Sequence, residues 1–240
     1  MSNPRQVYQM RITRLRDHTP SVRELFLKPE SPDQFQFRAG QFVTLHVPDP
    51  EAGKPALRAY SIASEEQNSQ GFRLLFKFVP GGKASRFVWD LKGNELLQMT
   101  GPFGRVFFQE PPTEQVIFFN TGTGISQHLS YLTSKAQKYP SNLYRLYFGV
   151  RHEEEIYLEE ELKNLKKILP NFHYEFVLSR ASDSWKGRRG YVQSVLSELD
   201  YLQTPTTFYL CGNGGMIKET KELLSKVTFD SKKIFSEAFD

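Results

Sequence analysis

A cation, a phenol ring and a hydroxyl stand close together in the stretch Arg58-Ala59-Tyr60-Ser61. The stretch opens RAYSIAS, a segment that otherwise resembles a β-strand, in which alternate side chains share a face. Arg58 and Tyr60 are therefore expected on one face, roughly 6 to 7 Å apart. A flat ring can pack on Tyr60 while a phosphate reaches Arg58. The alternative is a tyrosine packed in a barrel beside an arginine on its rim.

Two small-residue turns follow apolar runs of strand length. Thr121-Gly122-Thr123-Gly124 follows QVIFF and opens a helix, where backbone N–H groups and the helix dipole favour a phosphate. Cys211-Gly212-Asn213 follows TFYL in the same way. Each turn has an ordinary interpretation, because glycine often only closes a turn and a lone cysteine is usually a small buried residue. Two such turns in one sheet favour a nucleotide crevice.

A hydroxyl and guanidinium groups follow a third apolar run. Ser179 and Arg180 directly follow FHYEFVL, and Arg188 lies within WKGRRGYV. The planar fork of an arginine matches phosphate oxygens, so these residues are candidates to hold a ribose phosphate. The alternative for each arginine is an ordinary solvated surface.

The first part of the chain carries RAYS in a series of short alternating segments. Tyr8, Met10 and Ile12 begin the series, which continues through VRELFL, QFVTLHV, RAYSIAS and FRLLFKFV. Period-two patterning separated by Pro, Gly and Asp turns predicts antiparallel strands, arranged as a small closed β-barrel. A short helix is predicted at 85–91. We expect this first domain to cover residues 1–109.

The second part of the chain has a different pattern of apolar residues. The segment GPFGRVFFQEPPT (101–113) is predicted to be a linker. Beyond it, the strand-like runs QVIFF, LYRLYFGV, FHYEFVL, TFYLC and KIFSE alternate with the helical runs ISQHLSYLTSKAQ, YLEEELKNLKKIL, VQSVLSEL and MIKETKELLSKV. Strict alternation predicts an α/β domain over 114–240, with a doubly wound, parallel, five-stranded sheet. Ligands of such sheets bind at the carboxyl ends of the strands.

Composition narrows the classes of function. The 31 Lys and Arg against 27 Asp and Glu give a net charge of +4, interspersed along the chain, which argues against a nucleic-acid partner. One cysteine excludes an intrachain disulfide and a four-cysteine iron–sulfur cluster, and the five histidines have no metal-site spacing. No apolar run approaches the ~18 residues that span a bilayer. We expect a soluble cytoplasmic protein without metal or membrane.

Seven short motifs occur in a fixed order: RAYS (58–61), GGKAS (81–85), GPFG (101–104), TGTGI (121–125), YFGVR (147–151), LSR (178–180) and CGNGGM (211–216). In this order they resemble the ferredoxin–NADP reductase superfamily of flavoenzymes. The resemblance covers essentially the whole chain. It implies a flavin-binding barrel followed by a pyridine-nucleotide domain, with hydride passing from NAD(P)H to the flavin.

The resemblance gives RAYS a flavin role. In the family's R-x-Y-S motif the arginine pairs with the flavin pyrophosphate, the tyrosine packs against the isoalloxazine and the serine hydroxyl lies close to N5. GGKAS places glycines before a short helix, which suits the same pyrophosphate and implies tightly bound, non-covalent FAD rather than FMN. The FAD-binding residues implied are Arg58, Ala59, Tyr60, Ser61, Lys77, Phe78, Val79, Gly82, Lys83, Ala84, Ser85 and Phe239.

The resemblance also implies a coenzyme site and a catalytic set. Catalytic roles fall to Ser61, Cys211 and Glu237, with Cys211 acting through packing beside the nicotinamide. Phe239 is implied to stack on the flavin until the nicotinamide displaces it. The residues implied to bind NADP are Thr121, Gly122, Thr123, Gly124, Arg151, Ser179, Arg180, Arg188, Cys211, Gly212 and Asn213.

Coenzyme choice and electron acceptor are less determined. Ser179, Arg180 and Arg188 favour NADPH through its 2′-phosphate, and NADH stays open. The expected partner is a separate ferredoxin or flavodoxin, and a monomer is expected. One alternative is the reductase component of an oxygenase, or a diaphorase. Another is a non-catalytic binding subunit with the flavin fold, which the intact RAYS and CGNGGM disfavour.

Overall fold

The computed structural model describes residues 6–66 and 70–239. They form two compact units that divide between Phe107 and Phe108, inside the predicted linker. The first unit contains an antiparallel sheet, and the second contains a parallel sheet with helices. The predicted fold class, an antiparallel barrel followed by an α/β domain, is confirmed.

The first unit is a six-stranded sheet in the order β4-β3-β6-β1-β2-β5, with antiparallel neighbours. A bridge between Ile62, just after β4, and Leu74 of β5 closes the sheet into a barrel. The elements are β1 (Val7–Thr19), β2 (Val22–Ser31), β3 (Phe42–Val47), β4 (Ala56–Ser61), β5 (Phe72–Lys77), α1 (Lys83–Asp90) and β6 (Leu96–Phe103).

Alternating side chains fill the barrel. Along β3 buried and half-buried residues alternate strictly, as the period of two requires. Full burial of an aliphatic or aromatic side chain contributes about 1.5–3 kcal/mol, so the shared core fixes the strands that carry the site. The core includes Met10, Ile12, Leu25, Leu27, Val43, Leu45, Leu74, Phe76, Val88, Leu97 and Met99.

The structure of strand β6 differs from the sequence prediction. It pairs with both β1 and β3, so it is a central strand of the barrel. It runs through Gly101-Pro102-Phe103, and these first residues of the predicted linker therefore belong to the sheet. The prediction took the Gly-Pro pair as a break, whereas Thr100 and Phe103, on either side of the pair, are both in register with residues of β3.

The second unit is a parallel sheet in the order β10-β9-β8-β7-β11-β12. The five predicted strands are present, and the short strand β10 adds a sixth at one edge, which corrects the five-stranded prediction. The segment VQSVLSEL forms a 3₁₀ helix, Val192–Glu198, instead of an α-helix. The elements are β7 (Gln115–Thr121), α2 (Ile125–Ser134), β8 (Leu143–Val150), α3 (Glu159–Ile168), β9 (Phe172–Leu178), β10 (Arg188–Arg189), β11 (Thr206–Asn213), α4 (Gly214–Lys226) and β12 (Ile234–Phe239).

The strand order places a crevice in the second unit. From β7 the chain builds the sheet outward through β8 and β9, and then returns to add β11 on the other side of β7. Ligands of doubly wound sheets bind where the order reverses, at the carboxyl ends of the strands. Here that point lies between β7 and β11. None of the helices in the described ranges is long and apolar enough to cross a membrane.

Candidate functional site

Ser61, the last residue of β4, has a buried hydroxyl. The residue is 3% exposed, and its Oγ has no hydrogen-bond partner within the described ranges. A buried hydroxyl left in this state costs roughly 1–3 kcal/mol. Such a group in a native fold indicates a ligand or an ordered water beside it. The observation fits the predicted role of Ser61 as a hydrogen-bond donor to the flavin.

Arg58, Ala59 and Tyr60 form the middle of β4. The Tyr60 ring is half-buried, with its centroid 4.2 Å from that of Phe76 on β5. Burial raises the pKa of Tyr60 to about 12, against the opposing charge of Arg58. Arg58 and Ala59 are exposed, and the Arg58 guanidinium donates to the Leu57 carbonyl oxygen at 2.8 Å. Tyr60 is therefore a neutral ring beside an exposed cation.

The turn between β5 and α1 presents backbone N–H groups. Gly81 has a φ of +76°, which glycine adopts without strain, and Gly82 N donates to the Val79 carbonyl oxygen at 3.0 Å. Ser85 Oγ accepts from Val79 N at 2.8 Å and braces the turn. No described side chain caps α1. Its first N–H groups are therefore available to an anion such as a pyrophosphate.

The side chain of Lys83 has a protein partner. Its Nζ pairs with the Asp49 carboxylate, and this hydrogen bond lowers the pKa of Asp49. What Lys83 offers to a pyrophosphate is therefore its backbone N–H. Ala84 likewise offers only its backbone N–H, because its methyl group is buried in the barrel core.

Lys77, Phe78 and Val79 lie at and beyond the end of β5. Lys77 closes the strand and is half-buried. Phe78 packs edge-on against Trp89 of α1, with ring centroids 5.1 Å apart. Val79 is 56% exposed. Phe78 therefore packs within the unit, whereas Val79 presents an exposed apolar side chain.

A buried ion pair fixes the segment that follows Ser61. Glu24 is fully buried and contacts Arg73 at 2.9 Å and His18 at 3.0 Å. Burial opposes ionisation of Glu24, but the His18 hydrogen bond and the Arg73 charge together lower its pKa. Arg73 Nε donates to the Ala63 carbonyl oxygen at 3.2 Å, and Ala63 N donates to the Arg73 carbonyl oxygen at 3.0 Å. The strand end that carries Ser61 is therefore firmly held.

The two predicted glycine turns lie directly against each other. A Cβ on Gly124 would be 2.3 Å from the Cys211 carbonyl oxygen, and one on Gly212 would be 2.4 Å from Thr121 Oγ1. Thr121 Oγ1 also accepts a hydrogen bond from Asn213 N at 2.8 Å. No side chain fits in gaps of this size. Glycine is needed at both positions because the turns after β7 and β11 touch.

The two turns differ in what they leave for a ligand. Asn213 caps α4, because its Oδ1 accepts from Met216 N at 3.2 Å. No described side chain caps the 3₁₀ helix Gly122–Gly124 or α2, which continues from it. Gly122 has a φ of +52°, and Thr123 follows it at the opening of the turn. The N–H groups around Thr123 are therefore the better phosphate site.

Gly124→Ala is expected to separate these turns. The added methyl group meets backbone atoms that cannot move alone, so the free energy of unfolding should fall by more than ~2 kcal/mol and NADPH binding should weaken. Gly122→Ala is the matched control: a Cβ there meets nothing within 4 Å, and only its positive φ opposes the change. Urea unfolding and a fluorescence titration with NADPH measure both effects. Equal losses in the two variants would contradict the interlocked turns.

Ser179 and Arg180 follow β9 beside Arg151, which follows β8. Ser179 N donates to the Val150 carbonyl oxygen at 3.1 Å, and Arg180 N donates to the Arg151 carbonyl oxygen at 2.8 Å. Arg151 and Arg180 are exposed, and Ser179 is half-buried. The fold thus brings a hydroxyl-bearing residue and two arginines to one edge of the sheet.

Arg188 differs from Arg180 in having two acidic partners. Its Nε donates to Glu175 at 2.8 Å and its Nη1 donates to Glu198 at 2.6 Å. These two hydrogen bonds, that of Glu198 first, raise the pKa of Arg188. Because two nitrogens of the Arg188 guanidinium already donate hydrogen bonds to protein carboxylates, Ser179 and Arg180 are the better candidates for a ribose phosphate.

Cys211 and Glu237 are neighbours in register on β11 and β12. Burial, and then the nearby Glu237, raise the pKa of the Cys211 thiol well above its ordinary value. Burial also raises the pKa of Glu237, although a hydrogen bond of 2.6 Å from Gln127 Nε2 opposes this. Phe239 is half-buried and in register with Asn213. Sequence reasoning missed Gln127, whose signal is a polar residue in the first turn after the glycines.

Comparison with known proteins agrees with this two-unit arrangement. Residues 9–108 match the model of the oxidoreductase FAD-binding domain, and residues 118–222 match that of the oxidoreductase NAD-binding domain. The chain is 35% identical to a ferredoxin–NADP reductase B of Sorangium cellulosum over 90% of both chains. It is 28% identical to the reductase component of phenol 2-monooxygenase of a Pseudomonas species, over all of this chain and 67% of that relative.

Solved structures share the fold. A ferredoxin–NADP⁺ reductase from Neisseria gonorrhoeae with bound FAD and NADP has a TM-score of 0.81 at 22% identity, over 99% of each chain. The Amycolatopsis cytochrome P450 reductase GcoB has a TM-score of 0.89 at 23% identity, over all of this chain and 71% of that one. With both domain models matched and a relative 35% identical over 90% of its length, the chain belongs to the ferredoxin–NADP reductase superfamily of FAD- and NAD(P)-dependent flavoenzymes.

Proposed function

We propose that this flavoenzyme takes electrons from NADPH onto FAD and passes them singly to a separate ferredoxin or flavodoxin. Family membership gives the coarser statement, a reductase that uses FAD and NAD(P)H. Among the residues of this chain, the buried hydroxyl of Ser61 is the observation that carries the flavin assignment. The carrier and the preference for NADPH are the proposed parts.

The residues of the first unit fit FAD. Arg58 is exposed, α1 begins without a side-chain cap, and Ser61 Oγ has no partner within the described residues. Arg58 and the first N–H groups of α1 would hold the pyrophosphate. Tyr60 would offer its ring, and Ser61 would donate a hydrogen bond to the isoalloxazine. When bound, FAD accepts a hydride from a pyridine nucleotide and releases electrons one at a time, which the nucleotide does not readily do.

The residues of the second unit suit a phosphorylated dinucleotide. The uncapped turn at Thr123 suits the coenzyme pyrophosphate, and Ser179 with Arg180 suits a 2′-phosphate. Cys211 is small, buried and protonated near neutral pH, so it acts by packing rather than as a nucleophile. Glu237 adds a carboxyl group whose pKa is raised by burial.

The distribution of charge favours an acidic carrier. Residues 1–107 contain 15 Lys and Arg against 10 Asp and Glu, whereas residues 108–240 contain 16 against 17. The positive excess of the chain therefore belongs to the unit that would hold the flavin. An acidic protein would be steered toward that unit at low ionic strength.

One experiment tests the coenzyme and the carrier together. The purified protein is reconstituted with FAD, reduced anaerobically with NADPH or NADH, and followed by its visible flavin absorption. We expect faster bleaching with NADPH, and turnover with a bacterial [2Fe–2S] ferredoxin that falls as ionic strength rises. Bleaching without any ferredoxin turnover would reject the proposed carrier, and salt-insensitive turnover would reject steering.

A second candidate is the reductase of an oxygenase system. It is favoured by the 28% identity, over the whole chain, to the reductase component of phenol 2-monooxygenase. In that case NADH would be used as well as NADPH, and a purified oxygenase component would compete effectively with ferredoxin as acceptor. The ratio of kcat/KM values for the two acceptors separates the candidates.

A further inference from the structure

Three residues form a row at the carboxyl end of the parallel sheet. Asn120 on β7 is in register with Cys211 on β11, and Cys211 is in register with Glu237 on β12. Residues in register on neighbouring parallel strands project to the same face. Their side chains therefore lie side by side, with Glu237 at the edge strand.

The first turn of α2 covers this row with polar side chains. Gln127 is 1% exposed, and its Nε2 donates to Glu237 Oε2 at 2.6 Å. His128 is fully buried, and its Nδ1 lies 3.4 Å from Asn120 Oδ1. A helix that packs on a sheet normally does so with apolar side chains. Two buried polar residues that meet the two ends of the row therefore indicate a function beyond packing.

We propose that Gln127 is a positioning residue that holds the Glu237 carboxyl group in place for the nicotinamide of the coenzyme. This inference rests on the proposed function. A glutamate on the edge strand β12 has free side-chain torsions unless a neighbour fixes it. A donor that is itself buried fixes one carboxyl oxygen and leaves the other for the ligand. Reaction rates depend steeply on such positioning, with a loss of ~100-fold for a displacement of about 1 Å.

Three ionisable groups around Glu237 have pKa values shifted by burial toward their neutral forms. Burial raises the pKa values of Cys211, on the adjacent strand, and of Tyr131, on α2. Burial lowers the pKa of His128 to about 3. On α4, Lys221 donates to Ser236 Oγ, the residue before Glu237, at 2.7 Å. Burial raises the pKa of Glu237, and the hydrogen bond from Gln127 opposes that rise, so Gln127 favours the ionised carboxylate.

The test compares Gln127→Leu with Gln193→Leu. Gln193 is also buried, and its Nε2 also donates to a carboxylate, Glu219 Oε2, at 2.6 Å. Both variants thus lose the same kind of bond within the same unit. Anaerobic stopped-flow absorbance gives the rate of FAD reduction at saturating NADPH and the dissociation constant. We expect Gln127→Leu to slow reduction ~10-fold to ~100-fold with little change in the dissociation constant, and Gln193→Leu to reduce like wild type.

The pH profile distinguishes positioning from a general structural effect. The bond from Gln127 favours the ionised carboxylate, so its loss should move the Glu237 limb of the rate profile to higher pH. In a Glu237→Ala background, Gln127→Leu should have no further effect on the rate. Gln127→Asn, which keeps a shorter amide, provides a milder variant if the leucine variant does not fold, and it should shift the rate and the profile in the same direction.

The outcomes separate the two proposals. If wild type does not bleach with NADPH or NADH, the proposed function fails. If wild type bleaches and the Gln127 variants match it in rate and pH profile, the positioning role is overturned. It is also overturned if Gln127→Leu slows reduction by the same factor in the Glu237→Ala background as in wild type.

Discussion

Ser61→Ala is expected to slow anaerobic reduction of FAD by NADPH about 100-fold to 1,000-fold, which is the usual effect of removing a donor aimed at developing charge. The hydroxyl is buried and has no protein partner within the described ranges, so it is available to the isoalloxazine. Arg58 and the uncapped start of α1 remain, so the variant should keep its FAD. Stopped-flow absorbance gives the rate, and the flavin-to-protein absorbance ratio gives the FAD content.

Ser64→Ala is the matched control for this prediction. Ser64 is also buried, but its Oγ accepts a hydrogen bond from Arg73 N at 2.9 Å within the barrel. Its loss should cost about 1 kcal/mol of unfolding free energy and leave the rate of reduction near wild type. If Ser61→Ala were reduced as fast as wild type, or if both variants were slowed equally, Ser61 would have no special role toward the flavin.

The period of the apolar residues predicts both fold classes because burial depends on it directly. Strand β3 alternates between buried and half-buried residues, as in a barrel wall, whereas β7 is buried at nearly every position, as in the centre of a parallel sheet. The full extent of strand β6 is not predicted in this way. Its Gly101-Pro102 pair is a strong turn signal, but Thr100 and Phe103 on either side of the pair are both in register with residues of β3. Tertiary pairing there overrides the local signal.

The sequence identifies the types of residue at the site better than their partners. The glycine turns are predicted from their place after strands, and the structure explains Gly124 and Gly212 by direct contact between those turns. Side-chain pairs are not predicted from the sequence, since no local pattern links residues far apart in the chain. The hydrogen bond from Gln127 to Glu237 spans 110 positions, and that from Lys83 to Asp49 spans 34. These contacts exist only in the folded protein.

Arg180→Ala is expected to lower kcat/KM for NADPH about 10-fold to 100-fold, as the loss of a charge-assisted hydrogen bond worth about 1.5–3 kcal/mol implies. The exposed Arg180 lies at the strand end beside Ser179 and Arg151, where a 2′-phosphate would be held. NADH lacks that phosphate, so its kcat/KM should stay near the wild-type value. Steady-state kinetics with both coenzymes and a small electron acceptor measure the two values.

Arg188→Ala is the control for this prediction, because it removes a second arginine from the same region of the chain. Arg188 binds Glu175 and Glu198, and partly exposed pairs of this kind contribute at most about 1 kcal/mol each to stability. We therefore expect a modest loss of stability and similar effects on NADPH and NADH. A selective loss of NADPH activity in Arg188→Ala, with Arg180→Ala unaffected, would assign the phosphate to Arg188. Equal losses with both coenzymes in Arg180→Ala would reject a 2′-phosphate site altogether.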